Sequence, residues 1–410
     1  MSDFFVCLLG VAFTFYFVIP GWYKLMPLFM LLLAVYLSLS QSIKTDRRLV
    51  LFCVLLLLIP IAGDLINIML REVSSWSNVE KVLRNLLLIY PLMIAVAMRR
   101  DLSLFFYYAL VGMLCVTAVF CVAQLLGFYA VESSHFRGVR TGLWWNPIPF
   151  SNAVVFILAA CCAAYVVLVR SGKIQGWFAH TAIAVAVLAG VLIVILSGTR
   201  GSLLGLAMLI LVFITVLLLS PAVTKGYRLL FALTALVFIF VASYVMQDRF
   251  MLAYVEALDH FSSGAAYTSV SIRLSAWSFS VQAFLDNPLL GLGVDATQDY
   301  KAGLIAQGMY PPYLMDFHAH SDIFDTLERS GLLGITGLFF LYVSPLIMAV
   351  FFRYRAANLY PLLFVTLSAF LVGLTDTPLR NNISTNAFFL AFFVVLFICL
   401  RNADVRENTQ

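Results

Sequence analysis

Residues 49–63 read LVLFCVLLLLIPIAG, a stretch without a single charged side chain. A half-buried strand alternates apolar and polar residues, and so does the strand of a membrane barrel. This run is continuous. Inside a bilayer only helices and closed barrels satisfy their own backbone, so the run reads as a membrane helix. The rest of the chain follows the same pattern. Of 410 residues, 63% are hydrophobic and 11% are charged, with a mean hydropathy of +1.01. Soluble domains carry about 25% charged residues, so this chain has too few to cover a water-facing surface. The fold class expected is an all-α polytopic integral membrane protein.

Apolar runs of spanning length, about 17–25 residues, occur at about twelve places: 4–20, 25–41, 49–69, 85–98, 103–127, 147–169, 179–196, 202–219, 229–246, 332–352, 358–374 and 385–400. The fourth is short and holds Pro91, as a broken or tilted helix would. The first lacks a basic leader and a small-residue cleavage site, so it reads as a span rather than a signal peptide. One alternating set of loops carries Lys44/Arg47/Arg48, Arg99/Arg100, Arg170/Lys173, Lys225/Arg228 and Arg353/Arg355, with Arg401/Arg406 in the tail. Cytoplasmic loops hold such an excess of cations. Both termini are therefore expected in the cytoplasm. The loops at 70–84, 128–146, 197–201 and 375–384, and a long one at 247–331, are expected on the periplasmic side. The chain divides into a bundle of nine spans (1–246), the large loop (247–331), and three further spans with a short tail (332–410).

The net charge of +5 comes from cations scattered over short loops, which is not the basic patch of a nucleic-acid binder. All seven cysteines lie in apolar runs, so neither a disulfide framework nor a CxxC metal pattern is present. The long loop holds about ten acidic and four basic residues, so an anion site in it must be made by individual arginines. No inverted pair of Gly/Pro-broken helices is seen. A transporter would place its polar chemistry near the midplane, where this chain offers mainly Asp64 and Asn67. A carboxylate at that depth needs a partner, and a structural hydrogen bond is the expectation for Asp64.

The remaining polar candidates cluster on one face. Arg200 lies in LSGTRGS, a short turn whose small residues let a ligand approach the backbone. Its planar fork can chelate phosphate oxygens, or it can snorkel against lipid headgroups. Arg273, in SVSIRLSAW, sits early in an expected helix and is either a ligand-binding cation or a solvated helix charge. Arg249 and Arg329 are similar candidates, and Lys301 is weaker because it lacks the bidentate fork. His318 and His320 lie in DFHAHSDIFDTLERSGLLG, and His260 lies elsewhere in the same loop. A histidine suits general-base work on a hydroxyl. The alternatives are a plain loop histidine or a metal cage of His318, His320, Asp322 and Asp325. The stretch from Ser321, a plausible N-cap, to Gly331 reads as a helix, and that makes a four-ligand cage awkward. Asp376 and Arg380, in GLTDTPLRNN, read as a surface ion pair of small worth.

Together these segments resemble the O-antigen ligase (WaaL) family and its relatives, the O-antigen polymerases and protein O-oligosaccharyltransferases. The family pattern is a histidine, then Asn, Ser or Gln, nine residues, Gly, two residues, then Gly, Thr or Tyr. Here His320 and Ser321 are followed by residues 322–330, Gly331 and Gly334. GTRGS around Arg200 is similar to the family's arginine turn, and SIRLSAW…NPLLGLG to the start of its large periplasmic loop. GLTDTPLRN resembles its Asp-bearing stretch more loosely. The resemblance spans about residues 197–382, and the first six spans match only in hydropathy and topology.

It implies a glycosyltransferase of the bacterial inner membrane that works at the periplasmic face without metal, nucleotide or other cofactor. The donor implied is an undecaprenyl-diphosphate-linked glycan, its lipid tail held among the helices and membrane lipids. In a ligase the acceptor is a sugar hydroxyl of lipid A–core, and the linkage inverts. Diphosphate is already a good leaving group, so the site needs mainly anion stabilisation and a base. The resemblance gives Arg200 and Arg273 the diphosphate and His320 the acceptor proton, with His318, Ser321, Asp376 and Arg380 as supporting candidates. A polymerase would use another lipid-linked unit as acceptor. A protein O-oligosaccharyltransferase would use Ser or Thr, and often carries a soluble domain after its last span, where this chain has about ten residues. A lipid-linked-glycan transporter without catalysis is the alternative of another class.

Overall fold

The long apolar runs fold as helices, and no strand occurs among the described residues. The computed structural model describes residues 10–38, 47–71, 77–89, 91–92, 101–128, 141–174, 176–220, 225–263, 267–351 and 359–407. The helices are α1 (Trp22–Ser38), α2 (Arg47–Leu58), α3 (Ala62–Arg71), α4 (Ser77–Arg84), α5 (Ser103–Leu125), α6 (Pro147–Arg170) and α7 (Trp177–Ser197). They continue as α8 (Arg200–Leu219), α9 (Lys225–Ser263), α10 (Ser269–Asp286), α11 (Ala296–Ala306), α12 (Asp322–Phe351), α13 (Leu362–Gly373) and α14 (Asn382–Glu407). A single 3-10 turn, Ile59–Ile61, joins α2 to α3 at Pro60.

Seven helical stretches are long and apolar enough to cross a membrane: Arg47–Leu70, Ser103–Leu125, Pro147–Arg170, Trp177–Ser197, Arg200–Leu219, Asp322–Phe351 and Asn382–Asn402. They fall where the third, fifth to eighth, tenth and twelfth spans are expected, and the protein is a polytopic helical membrane protein. The count of twelve is not reached among the described residues. The expected spans 4–20, 25–41 and 85–98 lie partly outside them, as do the cation-rich positions 44, 99–100 and 353–355. The eleventh appears as the shorter apolar helix α13. The ninth is part of α9, which runs 39 residues and continues past position 246 to Ser263. Hydropathy falls there, but residues 247–263 contain neither Gly nor Pro, so nothing stops the helix.

Helices α6 and α14 form the centre, each apolar window buried along its whole length. A helix hydrophobic on every side belongs inside such a bundle. Asn146 caps α6, its side chain accepting from the Ile148 amide at 3.0 Å, with Pro147 in the first turn. The run Ala159, Ala160, Cys161, Cys162, Ala163, Ala164 keeps α6 slim, as close helix packing in lipid requires. Phe156 meets Phe388 of α14 edge-on at 5.8 Å. Buried amides add polar ties between distant segments, Asn85 to Asn386 at 3.0 Å and Asn402 to Ser103 at 3.1 Å.

Helix α12 is broken at Gly331, which adopts φ 57° and ψ −148°. The break frees backbone groups on both sides, and the segment 288–293 takes them up. Leu292 N and Gly293 N donate to Glu328 O and Arg329 O at 2.8 and 2.9 Å, and Leu332 N donates to Pro288 O at 2.8 Å. The backbones touch so closely that a Cβ on Gly331 would lie 2.6 Å from Gly291 N, and one on Gly291 2.5 Å from Arg329 C. The NPLLGLG and SGLLG motifs are thus two halves of one joint.

Candidate active site

Four segments meet at one end of the bundle: the α7–α8 turn, α10, residues 317–321 and the loop after α13. Gly198, at φ 63°, ends α7, and α8 begins two residues later at Arg200. A Cβ on Gly201 would stand 2.5 Å from Thr375 Oγ1, and one on Gly205 2.6 Å from Val372 Cγ2. Only glycine lets α8 lie this close to the end of α13, and that contact brings Arg200 beside the Asp376 loop. A buried polar chain runs underneath. Ser151 bonds Thr199 at 2.8 Å and Ser202 at 2.7 Å. Ser202 donates to Asn152 Oδ1 at 2.5 Å, and Asn152 Nδ2 donates to Asp376 Oδ2 at 2.5 Å. A carboxylate accepts only, so Asp376 fixes which way the Asn152 amide points.

The histidine segment is fastened at four of the six residues from 317 to 322. Lys301 Nζ, buried and 5.0 Å over the Phe279 ring, donates to Phe317 O at 2.9 Å. Trp277, stacked on Phe324 at 4.9 Å, donates from Nε1 to Ala319 O at 2.7 Å. Ser321 Oγ donates to Gly373 O at 3.1 Å, and Asp322 N to Asp376 O at 3.1 Å. His320 itself sits at φ 47°, a left-handed conformation uncommon for a residue with a side chain. The two imidazoles lie 4.1 Å apart between centroids, tilted by 35°. His320 Nδ1 stands 3.9 Å from Asp376 Oδ1. Burial, then the charges of His320 and Arg380, push the His318 pKa down to about 4, so its ring is neutral at neutral pH.

Arg273, on α10, donates to Ser269 Oγ at 3.1 Å, while its Nε is buried without a partner. Burial lowers its pKa; Asp376 raises it, Arg200 lowers it and Glu256 raises it. Arg273 therefore lies within electrostatic reach of both Arg200 and Asp376. No described residue hydrogen-bonds the Arg200 guanidinium. Donors left open in this way suit an incoming anion.

Other candidates go elsewhere. Arg329, a candidate of the same kind as Arg273, is buried and bridges Asp64 Oδ2 at 3.0 Å and Asp325 Oδ2 at 2.8 Å. Ser330 Oγ also reaches Asp64, at 2.6 Å, so Asp64 has the structural partners expected of it. Asn67 donates to Leu290 O at 2.6 Å. The expected surface pair of Asp376 with Arg380 resolves into separate contacts: Arg380 reaches Asp325 at 2.5 Å and Asp376 faces Asn152 and His320. The four-ligand cage is not built, because Asp325 faces the two arginines and Asp322 accepts from Tyr342 at 3.2 Å. His260 pairs with Ser271 at 2.6 Å. Arg249 lies on α9, its side chain outside the description. The Ser321 hydroxyl bonds Gly373, and it is the Ser321 carbonyl that starts α12 by accepting from Asp325 N at 2.9 Å. Sequence reasoning missed Asn152, Ser202, Trp277 and the role of Lys301. The one signal for Asn152 is that an amide inside an apolar span needs a partner.

Residues 182–339 match the family model described as O-antigen ligase. The matched region contains Arg200, Arg273, His318, His320 and Ser321 and ends before Asp376 and Arg380. A search of curated proteins found no match to the chain. The family match supports glycosyl transfer of the ligase or polymerase type, on lipid-linked glycans in a membrane. The geometry is compatible with that chemistry: two arginines with open donors beside a histidine backed by a carboxylate.

Proposed function

We propose that the protein is an O-antigen ligase, moving a glycan from undecaprenyl diphosphate to a sugar hydroxyl of lipid A–core at the periplasmic face of the inner membrane. The observation that carries this reading is the convergence of Arg200, Arg273, His320 and Asp376, three of them within the family match. Arg200 and Arg273 bind the donor diphosphate through their open donors. His320 takes the proton of the acceptor hydroxyl as its oxygen attacks the anomeric carbon. The bond from that carbon to the diphosphate oxygen breaks on the opposite face, so the linkage inverts and undecaprenyl diphosphate leaves with its charge held by the arginines. Asp376 steadies the imidazolium that forms on His320.

The test is to incubate purified protein with lipid-linked glycan and either lipid A–core or more lipid-linked glycan. A core-linked product is expected. Longer lipid-linked glycan in its place would make the protein a polymerase. An intact donor under both conditions would remove the catalytic reading and favour a transport role.

A further inference from the structure

The histidines offer a binding capacity that glycan transfer does not use. His318, His320 and Asp376 each present one ligand atom, all within 4.8 Å of one another. Around a tetrahedral Zn2+ with bonds of about 2.1 Å, ligand atoms stand about 3.4 Å apart. The His320 Nδ1 to Asp376 Oδ1 separation, 3.9 Å, is already close to that, so small side-chain rotations complete the set.

Three further features make this a prepared site. No described residue hydrogen-bonds either imidazole ring, so both have lone pairs to give. The carboxylate is oriented from behind, Asn152 holding Oδ2 at 2.5 Å and leaving Oδ1 toward the rings; such outer contacts tune metal ligands. The backbone carrying the histidines is pinned by Trp277 at Ala319 O and by Lys301 at Phe317 O. Two imidazoles and one carboxylate select a Zn2+-class ion over Mg2+ or Ca2+, which take oxygen ligands. Asp322 and Asp325 are engaged elsewhere, so the fourth position falls to water. Arg200 and Arg273 oppose any cation here and keep binding reversible.

We propose that His318, His320 and Asp376 form a reversible inhibitory site for a Zn2+-class transition ion. The ion would occupy the lone pair that His320 needs to accept the acceptor proton. The inhibition rests on the transfer reaction proposed above; the ion binding does not.

The test uses the full chain in detergent, purified without a histidine tag. Co2+ is titrated by visible absorption and then displaced by Zn2+, for the wild type and for His318→Gln, His320→Gln and His260→Gln. One Co2+ per chain is expected, bound at least tenfold more weakly in the first two variants and unchanged in the third. Zn2+ should raise the melting temperature of the wild type but not of the His318→Gln or His320→Gln variants, which separates ion binding from misfolding. Zn2+ should also slow glycan transfer by the wild type, and a chelator should restore it. Absence of saturable Co2+ binding, or binding that both histidine variants keep, overturns the site. Full occupancy with undiminished transfer overturns the inhibition. If no transfer is seen under any condition, the functional reading fails while the Co2+ titration still decides the site.

Discussion

Asp376→Asn removes one charge and almost no volume. The backbone contact from Asp322 N to Asp376 O is untouched, and the new amide can still accept from Asn152. What is lost is the carboxylate 3.9 Å from His320 Nδ1. Two unit charges at that distance attract by about 4 kcal/mol at an effective dielectric of about 20, and by about 1 kcal/mol in bulk water. The side chains of His320 and Asp376 are 20% and 13% exposed, which puts the pair nearer the first limit. The attraction exists only when His320 carries the acceptor proton, so it acts on the transition state. Transfer should therefore slow by about 10- to 1,000-fold, at about 1.4 kcal/mol per factor of ten. Donor binding should hold or tighten, because a negative charge near Arg273 has gone. The assay measures donor binding and single-turnover transfer separately on the same preparation. Transfer within threefold of the wild type would refute the reasoning, and so would lost donor binding with transfer per bound donor unchanged.

Four further outcomes are expected. Arg200→Lys and Arg273→Ala should weaken donor binding and turnover together, since losing one such anion-stabilising donor costs about 3–4 kcal/mol; His320→Ala should cut turnover by about 100- to 10,000-fold with donor binding largely kept, measured by the same pair of assays. Lys301→Met should lower turnover by about tenfold or more at unchanged donor KM, because it loses a charge-assisted bond to Phe317 O worth about 1.5–3 kcal/mol; a rise in KM alone would count against a role in holding the histidines. In intact cells, an impermeant maleimide should label Asp299→Cys, exposed on α11, and not Gly226→Cys, which stands in open space at the start of α9; the reverse pattern would invert the topology and remove the periplasmic donor.

Hydropathy reveals where apolar helices lie, because a span must be continuous and long. It does not reveal where a helix continues once charges appear, which is why α9 runs past its expected end. Gly331 reads as a helix stop, and it does leave helical geometry. Yet α12 resumes at once, because residues 288–293 supply hydrogen bonds that nothing local announces. The site shows the same limit. Arg200 stands out as a cation in an unusual place, and Arg273 and His320 through the segments that resemble the family. Asn152 does not, since its partner Asp376 is 224 residues away and a lone amide names no partner. Asp376 and Arg380 look like a pair because they are neighbours in sequence, but buried charges are matched in space, and Arg380 goes to Asp325.

The bond between Arg329 and Asp64 joins positions 265 residues apart. Ribosomes deliver about 5–20 residues per second, so Asp64 is made about 10–50 s before the arginine that will neutralise it. During that interval the third expected span holds a carboxylate with neither Arg329 nor Ser330 to meet it. A nascent chain halted before position 329 never leaves that state. The ion pair that ties the finished protein together therefore also sets a completed chain apart from a truncated one, whose third expected span keeps a carboxylate without its arginine.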